Sequence, residues 1–126
     1  MCLNSKQERP WINILVNNIK NNKNIEVKNL SKKFNSIVDT KEISKFVDYI
    51  KNKKIKNGAY NLAASRPIKM AKIISIIKKY FYSTSTIYNK GNDEKSVIIP
   101  LNKINEVIKY KSSSVEKILK RYLKEF

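Results

Sequence analysis

The sequence predicts an α/β architecture formed as one unit over residues 1–126. Segments with a 3.6-residue apolar period alternate with short segments of period two, the pattern of helices interleaved with strands. Apolar residues make up 41% of the chain, enough for a core. No linker or internal repeat divides the 126 residues.

After Pro10, "WINILVNNIK" carries Trp11, Ile14, Leu15 and Ile19 on one face and predicts a helix of about three turns. In "NIEVKNL", Ile25 and Val27 alternate with polar neighbours, as in a short strand. A second short strand, "NSIV", ends at Asp39. Asp39 with Glu42 three positions on matches a capping box, and Ile43, Phe46, Val47 and Ile50 continue the stripe of a helix from about Thr40 to Asn52. Charge and Gly58 in "KNKKIKNG" end it. "AYNLA", Ala59 to Ala63, then reads as a mostly buried strand. Pro67 suits the approach to a helix better than its middle. From Lys69 to Phe81, Met70, Ile73, Ile74, Ile77, Tyr80 and Phe81 cover one side. "STSTIYN" reads as a strand, "KGNDEK" as a polar loop and "SVIIP" as an extended piece stopped by Pro100. Leu101, Ile104 and Ile108 predict a short helix. Ser113 with Glu116 forms a second capping box, opening a last helix with Val115, Ile118, Leu119, Tyr122 and Phe126 inward.

Composition excludes several chemistries. The one cysteine is Cys2 and there is no histidine, so one chain builds neither a disulfide framework nor a Cys/His zinc site. Ser-His-Asp and Cys-His catalysis lack their imidazole base. Gly58 and Gly91 stand alone, too few for a phosphate-cradling loop. Asp39, Asp48 and Asp93 are dispersed and read as caps and solvated positions rather than as a metal cage. Tyr49 and Lys53 have a spacing at which a lysine lowers a tyrosine's pKa, but they sit at a fraying helix end with no cofactor-binding strand nearby. No catalytic, cofactor-binding or metal-ligating residue is expected in this chain. No apolar run reaches the roughly 18 residues of a membrane span, and the first residues lack a secretory signal's core, so a soluble, cytoplasmic protein is expected.

The formal charge of +17 points to nucleic acid, an anionic membrane or an acidic partner. Lysine, asparagine and isoleucine also dominate together, as AT-rich coding favours, and the lysines are scattered. A basic background and a selected basic surface both fit. Tyr80, Tyr82 and Tyr88 near Lys78, Lys79 and Lys90 read either as base-stacking groups in a groove or as core and helix-end residues.

The stretch "AYNLAASRPIKMAKIISIIKKYF" resembles a segment in the C-terminal half of the extended short-chain dehydrogenase/reductases, the NAD-dependent epimerase/dehydratase family. "FNSIVDTKEISKFVDYI" is similar to the family's preceding strand and helix, keeping Phe34, Asn35, Val38, Ser44 and Phe46. "NDEKSVIIPLNKINEVIKYKSSSVEKILKRYL" is similar to its closing region, keeping Asp93, Lys103 and Tyr110, and "RPWINILVNNIKNNKNIEV" matches the helix and strand before. Nearly the whole chain is covered in order. Departures are Asp39 where the family often has histidine, Glu42 for aspartate, Pro100 for the aspartate before its lysine helix, and Lys95 for a diphosphate-gripping arginine. Lys69 stands where a Ser/Thr usually caps, forgoing about 1 kcal/mol.

The resemblance implies the C-terminal part of a Rossmann-type fold, an incomplete sheet with several helices, lacking the N-terminal half that holds the NAD or NADP site, the catalytic Ser/Thr and the Tyr-x-x-x-Lys pair. It implies the substrate-binding part of a truncated or split enzyme of nucleotide-sugar metabolism, inactive alone, with a separate NAD-binding half as partner. Candidate substrate-binding residues are Lys95 towards the diphosphate, Trp11 beside the sugar or base, and Asn35 on the pocket side. The same three also read as a solvated lysine, a core tryptophan and a turn asparagine. The alternative is a small basic nucleic-acid-binding protein, with lysines converging on one face and salt-sensitive binding.

Overall fold

The helix opened by Trp11 runs to Lys20 (α1, Trp11–Lys20) in a computed structural model that describes residues 2–3, by backbone alone, and 11–126. Pro10 and the Cys2 side chain lie outside the described residues. The buried face of α1 is Ile12, Leu15, Val16 and Ile19, not the expected Trp11, Ile14, Leu15 and Ile19. The helix is apolar around most of its circumference, so its period alone does not choose the inward side. Packing chooses, and it leaves Trp11 and Ile14 facing out.

Helix α2 (Thr40–Ile50) starts at Asp39, whose carboxylate accepts from the Glu42 amide at 2.8 Å. Helix α3 (Met70–Phe81) has Lys69 at its cap position with no side-chain cap bond. Its first amides are satisfied instead by the main chain: Met70 donates to the Lys32 carbonyl at 2.9 Å and Ala71 to that of Leu30 at 3.0 Å. At its other end Tyr82 turns left-handed, φ 52°, and closes the helix. Helix α4 (Val115–Leu123) is capped by Ser114, one residue later than expected. Ser113 is committed elsewhere: its amide donates to Glu42 at 2.9 Å and its carbonyl accepts from Ser65 at 3.0 Å.

The main core lies among α1, α3 and α4, around Ile12, Val16, Ile19, Ile73, Ile77, Ile118 and Leu119. A smaller one, Ala63, Leu101, Ile104, Ile108 and Tyr110, packs under Phe46, Tyr49 and Ile50 of α2. Residues 104–108 form a widened π-type turn, Ile104–Ile108, rather than an ordinary helix, closed by Lys109 at φ 56°. Leu101, Ile104 and Ile108 face inward there as the sequence predicts.

Among the described residues the strands form three separate pairs. Strand β1 (Cys2–Leu3) runs parallel to β4 (Val38–Asp39), and β2 (Ile25–Val27) parallel to β6 (Ile87–Asn89) with Ile25 opposite Ile87. Strand β3 (Lys33–Phe34) is antiparallel to β5 (Ile68–Lys69), and Val97 adds a single bridge to Phe34. The expected strand "AYNLA" is neither a strand nor mostly buried: it joins no ladder, only Ala63 is buried, and Ala59 and Asn61 are exposed. Its polar groups meet side chains and irregular segments: Ala59 O accepts from Lys103, Ala63 O from Ser112, and Asn61 Nδ2 donates to Pro100 O, while the following Ala64 amide donates to Asn35 O. The class is the mixed α/β one expected, with the sheet broken into short pairs. Among the described residues no helix is long and apolar enough to cross a membrane.

Candidate functional site

The outward side of α1, β2, β3 and the loops around residues 28–32 and 94–97 enclose a cleft of about 530 Å³, within the usual range of small-molecule sites. Leu15, Ile25, Val27, Phe34 and Met70 give it an apolar floor. Trp11 stands at the rim, 40% exposed, with its ring edge-on to Phe34 at 5.2 Å. An aromatic held this way offers area at little entropic cost.

The charged residues lining the cleft are Glu26, Lys28, Lys32 and Glu94, two of each sign. Lys32 pairs with Glu94, and its hydrogen bond and charge hold the Glu94 carboxyl below its usual range. Glu26 pairs with Lys90 at 2.7 Å. The high net charge of the chain is therefore not concentrated here. Asn29 sets the geometry. Its Oδ1 accepts from the amides of Ser31 at 2.9 Å and Lys32 at 3.1 Å, and its Nδ2 donates to the carbonyls of Asn92 at 3.2 Å and Glu94 at 2.7 Å. One side chain thus joins the two loops that carry Lys32 and Glu94.

Of the three residues singled out from the sequence, Trp11 lies on this cleft. Asn35 is buried behind it, its Nδ2 donating to the carbonyls of Ala64 and Ile99, both at 3.0 Å, while its Oδ1 accepts from the Ile99 amide at 2.7 Å. Both amide hydrogens are spent on holding chain segments together. Lys95 is exposed and outside the cleft lining, between Glu94 and a Ser96 whose hydroxyl accepts from the Lys33 amide at 3.0 Å. Lys28, Lys32 and Glu94 were not apparent from the sequence. Asn29 followed two residues on by Ser31 is an Asx-turn spacing, the one local signal that the loop is held.

A second polar constellation is largely buried, with only the Arg121 side chain part-exposed. Arg121 donates from Nε to Asp39 Oδ2 at 2.7 Å, and from Nη2 to Asp39 Oδ1 at 2.8 Å and Glu42 Oε2 at 3.1 Å. Tyr110 donates its hydroxyl hydrogen to Glu42 Oε1 at 2.8 Å. Asp39 is 3% exposed and Glu42 1%. Asp39 caps α2 as the sequence predicts, and it is buried as well, against its guanidinium partner. Burial alone would raise the Glu42 carboxyl, but hydrogen bonds from Ser113, Tyr110 and Arg121 outweigh it and bring the pKa to about 2. Burial and the bond to Glu42 push the Tyr110 hydroxyl up. Two buried carboxylates whose oxygens are taken up by a guanidinium, a tyrosine hydroxyl and backbone amides make this a structural cluster.

Tyr49 and Lys53 do not form a proton-transfer pair: Lys53 Nζ sits over the Tyr49 ring, 4.0 Å from its centroid, while the hydroxyl donates to the carbonyls of Ile108 and Lys109. Tyr80, Tyr82 and Tyr88 are all exposed, outside the core. Among the described residues no group of three or more His, Cys, Asp or Glu could hold a metal ion.

No family model matches this sequence, and no curated protein is matched by it. Solved structures are. The enzyme WbmG from Bordetella bronchiseptica, in complex with NAD and UDP, matches with a TM-score of 0.75 at 11% identity, over 98% of this chain and 41% of that one. UDP-glucose 4-epimerase from Thermotoga maritima, with UDP-glucose, gives 0.70 at 14% identity over 98% and 42%. dTDP-glucose 4,6-dehydratase from Bacillus anthracis, with NAD, gives 0.70 at 13% identity over 98% and 43%. The chain spans less than half the length of these structures, and its fold is that of a part of the Rossmann-type extended short-chain dehydrogenase/reductases.

Proposed function

We propose that this chain is the nucleotide-sugar-binding part of a truncated or split NAD-dependent epimerase/dehydratase-like protein, cytoplasmic and inactive without the cofactor-binding part of that fold. The observation that carries this reading is the cleft: an apolar floor, an exposed tryptophan and two lysines, within a fold shared with structures solved with UDP and UDP-glucose. In it Trp11 packs against the base or sugar and Lys28 faces the diphosphate as a point charge, while Lys32, paired with Glu94, stands beside it and Lys95 lies outside the lining. Asn35 contributes by holding the wall behind Phe34. Hydride transfer needs a bound nicotinamide, and the sequence offers neither a glycine-rich turn nor a usable Tyr/Lys pair to work beside one.

Titrating the labelled chain with UDP-glucose, dTDP-glucose and NAD, followed by amide and indole NMR shifts, tests the reading. Saturable shifts at Trp11, Lys28 and Lys32 with a nucleotide-sugar and none with NAD are expected. Trp11→Ala should weaken binding about tenfold, the loss of roughly 1.4 kcal/mol. No shift at millimolar nucleotide-sugar would refute it. The nucleic-acid reading draws on one feature, the basic stripe of Lys117, Lys120 and Lys124 along α4. It requires duplex or single-stranded DNA to bind at physiological salt with a steep salt slope.

A further inference from the structure

The described lining of the cleft is neutral on a chain that is strongly basic. Twenty-seven cations face ten carboxylates in the sequence, yet the cleft is lined by two lysines and two glutamates. The two glutamates differ in what they hold. Glu26 pairs at 2.7 Å with Lys90, which does not line the cleft. Glu94 pairs with Lys32, one of the two lining cations. The Lys32 hydrogen bond and charge, and behind them the charge of Lys28, keep the Glu94 carboxyl ionised.

This pair is not what fastens the two loops. Asn29 Nδ2 donates to the Glu94 carbonyl at 2.7 Å, the Ser96 hydroxyl accepts from the Lys33 amide at 3.0 Å, and the Val97 amide donates to the Lys33 carbonyl at 3.0 Å. All three bonds hold main chain and leave the Glu94 carboxylate free to turn. The Lys32 and Glu94 side chains are 21% and 42% exposed, and an ion pair so open to water adds little to stability. Its effect falls on the cleft. An anion gains Lys32 only by taking it from a carboxylate, and the carboxylate so displaced stays close enough to repel it. Lys28 forms no ion pair among the described residues and attracts an anion without that cost.

Resting on the function proposed above, we infer that Glu94 is an internal competitor for the phosphate-binding position at Lys32: its carboxylate occupies the ammonium that a ligand phosphate would take, and binding exchanges one anion for the other. The Lys32–Glu94 pair thereby sets how tightly the cleft holds a pyrophosphate diester, while leaving contacts to an uncharged base or sugar unaffected.

The test titrates the full chain, the Glu94→Gln variant and the Glu94→Gln, Lys32→Ala double variant with UDP-glucose and with uridine, followed by amide and indole NMR shifts, after circular dichroism has shown all three folded alike. Glu94→Gln should bind UDP-glucose about tenfold more tightly than the native chain, with uridine unchanged. Adding Lys32→Ala should abolish that gain, because the two side chains act as one unit. Glu26→Gln removes the same charge from the same cleft without releasing a lining lysine, and should give a clearly smaller gain. UDP-glucose bound no more tightly by Glu94→Gln, an equal gain for uridine, an equal gain from Glu26→Gln, or a gain that survives Lys32→Ala overturns the inference. If the native chain binds UDP-glucose and Glu94→Gln binds it no better, the competitor falls and the cleft reading stands. If neither binds it, the cleft reading falls and the competitor with it.

Discussion

Replacing Arg121 by methionine keeps most of the stem's packing and removes the cation that Asp39 and Glu42 share. Three charge-assisted bonds of 2.7, 2.8 and 3.1 Å disappear, and two carboxylates that are 3% and 1% exposed are left facing each other. Breaking a buried pair from one side costs about 3 to 5 kcal/mol. For a chain of this length that lowers Tm by roughly 10 to 15 °C and takes a large fraction of a total on the order of 10 kcal/mol. The loss should depend on pH in a definite direction. In the native protein Glu42 falls from 4.5 to about 2, so its contribution is complete above pH 4.5 and is lost as pH drops from there towards 2. That span converts to roughly 3 kcal/mol as an upper figure. Without Arg121 the carboxyl titrates higher, protonation relieves the uncompensated charge, and the gap between variant and native protein should narrow below pH 4.5. Urea unfolding at pH 7 and pH 3.5, at fixed ionic strength, measures both. A difference under about 1 kcal/mol at pH 7, or one equal at both pH values, would refute the assignment of this cluster as the clamp between α2 and α4.

Asn35→Ala deletes three hydrogen bonds and strands buried groups of Ala64 and Ile99, so a loss of about 3 kcal/mol in urea unfolding is expected. Tyr122→Phe should be neutral or stabilising by up to about 1 kcal/mol, because the buried hydroxyl, its pKa pushed up to about 12 by burial and Glu125, has no hydrogen-bond partner among the described residues. A marked loss on this change would reveal a bonded hydroxyl. Tyr82→Gly relieves the left-handed position after α3 and should raise stability by about 0.5 to 1 kcal/mol, read as a higher Tm.

What the sequence could and could not disclose follows from the range of each interaction. The helices after Asp39, at Met70 and before the C-terminus were legible because period and length are written within a dozen residues, with a cap signal besides at Asp39. The inward side of α1 was not, since apolar residues on nearly all sides leave the choice to α3 and α4. "AYNLA" has the composition of a buried strand, but its polar groups are met by Asn35, Lys103 and Ser112, far away in sequence. Asp39 and Glu42 could be paired by spacing, whereas Arg121, about 80 positions on, has no local signature. In the cleft, Trp11 stood out by residue type. Lys28 and Lys32 did not, because lysine is everywhere in this chain and only the fold distinguishes one from another.

The start of α3 depends on carbonyls lent by Leu30 and Lys32, in the same loop whose lysine borders the cleft. Shifting that loop would unfasten the first turn of a helix seated in the main core. The lysine bordering the cleft therefore has its main chain fastened to the first turn of a helix of the main core. Its grip is set in advance, and small changes at the rim should be felt as frayed amides at Met70 and Ala71.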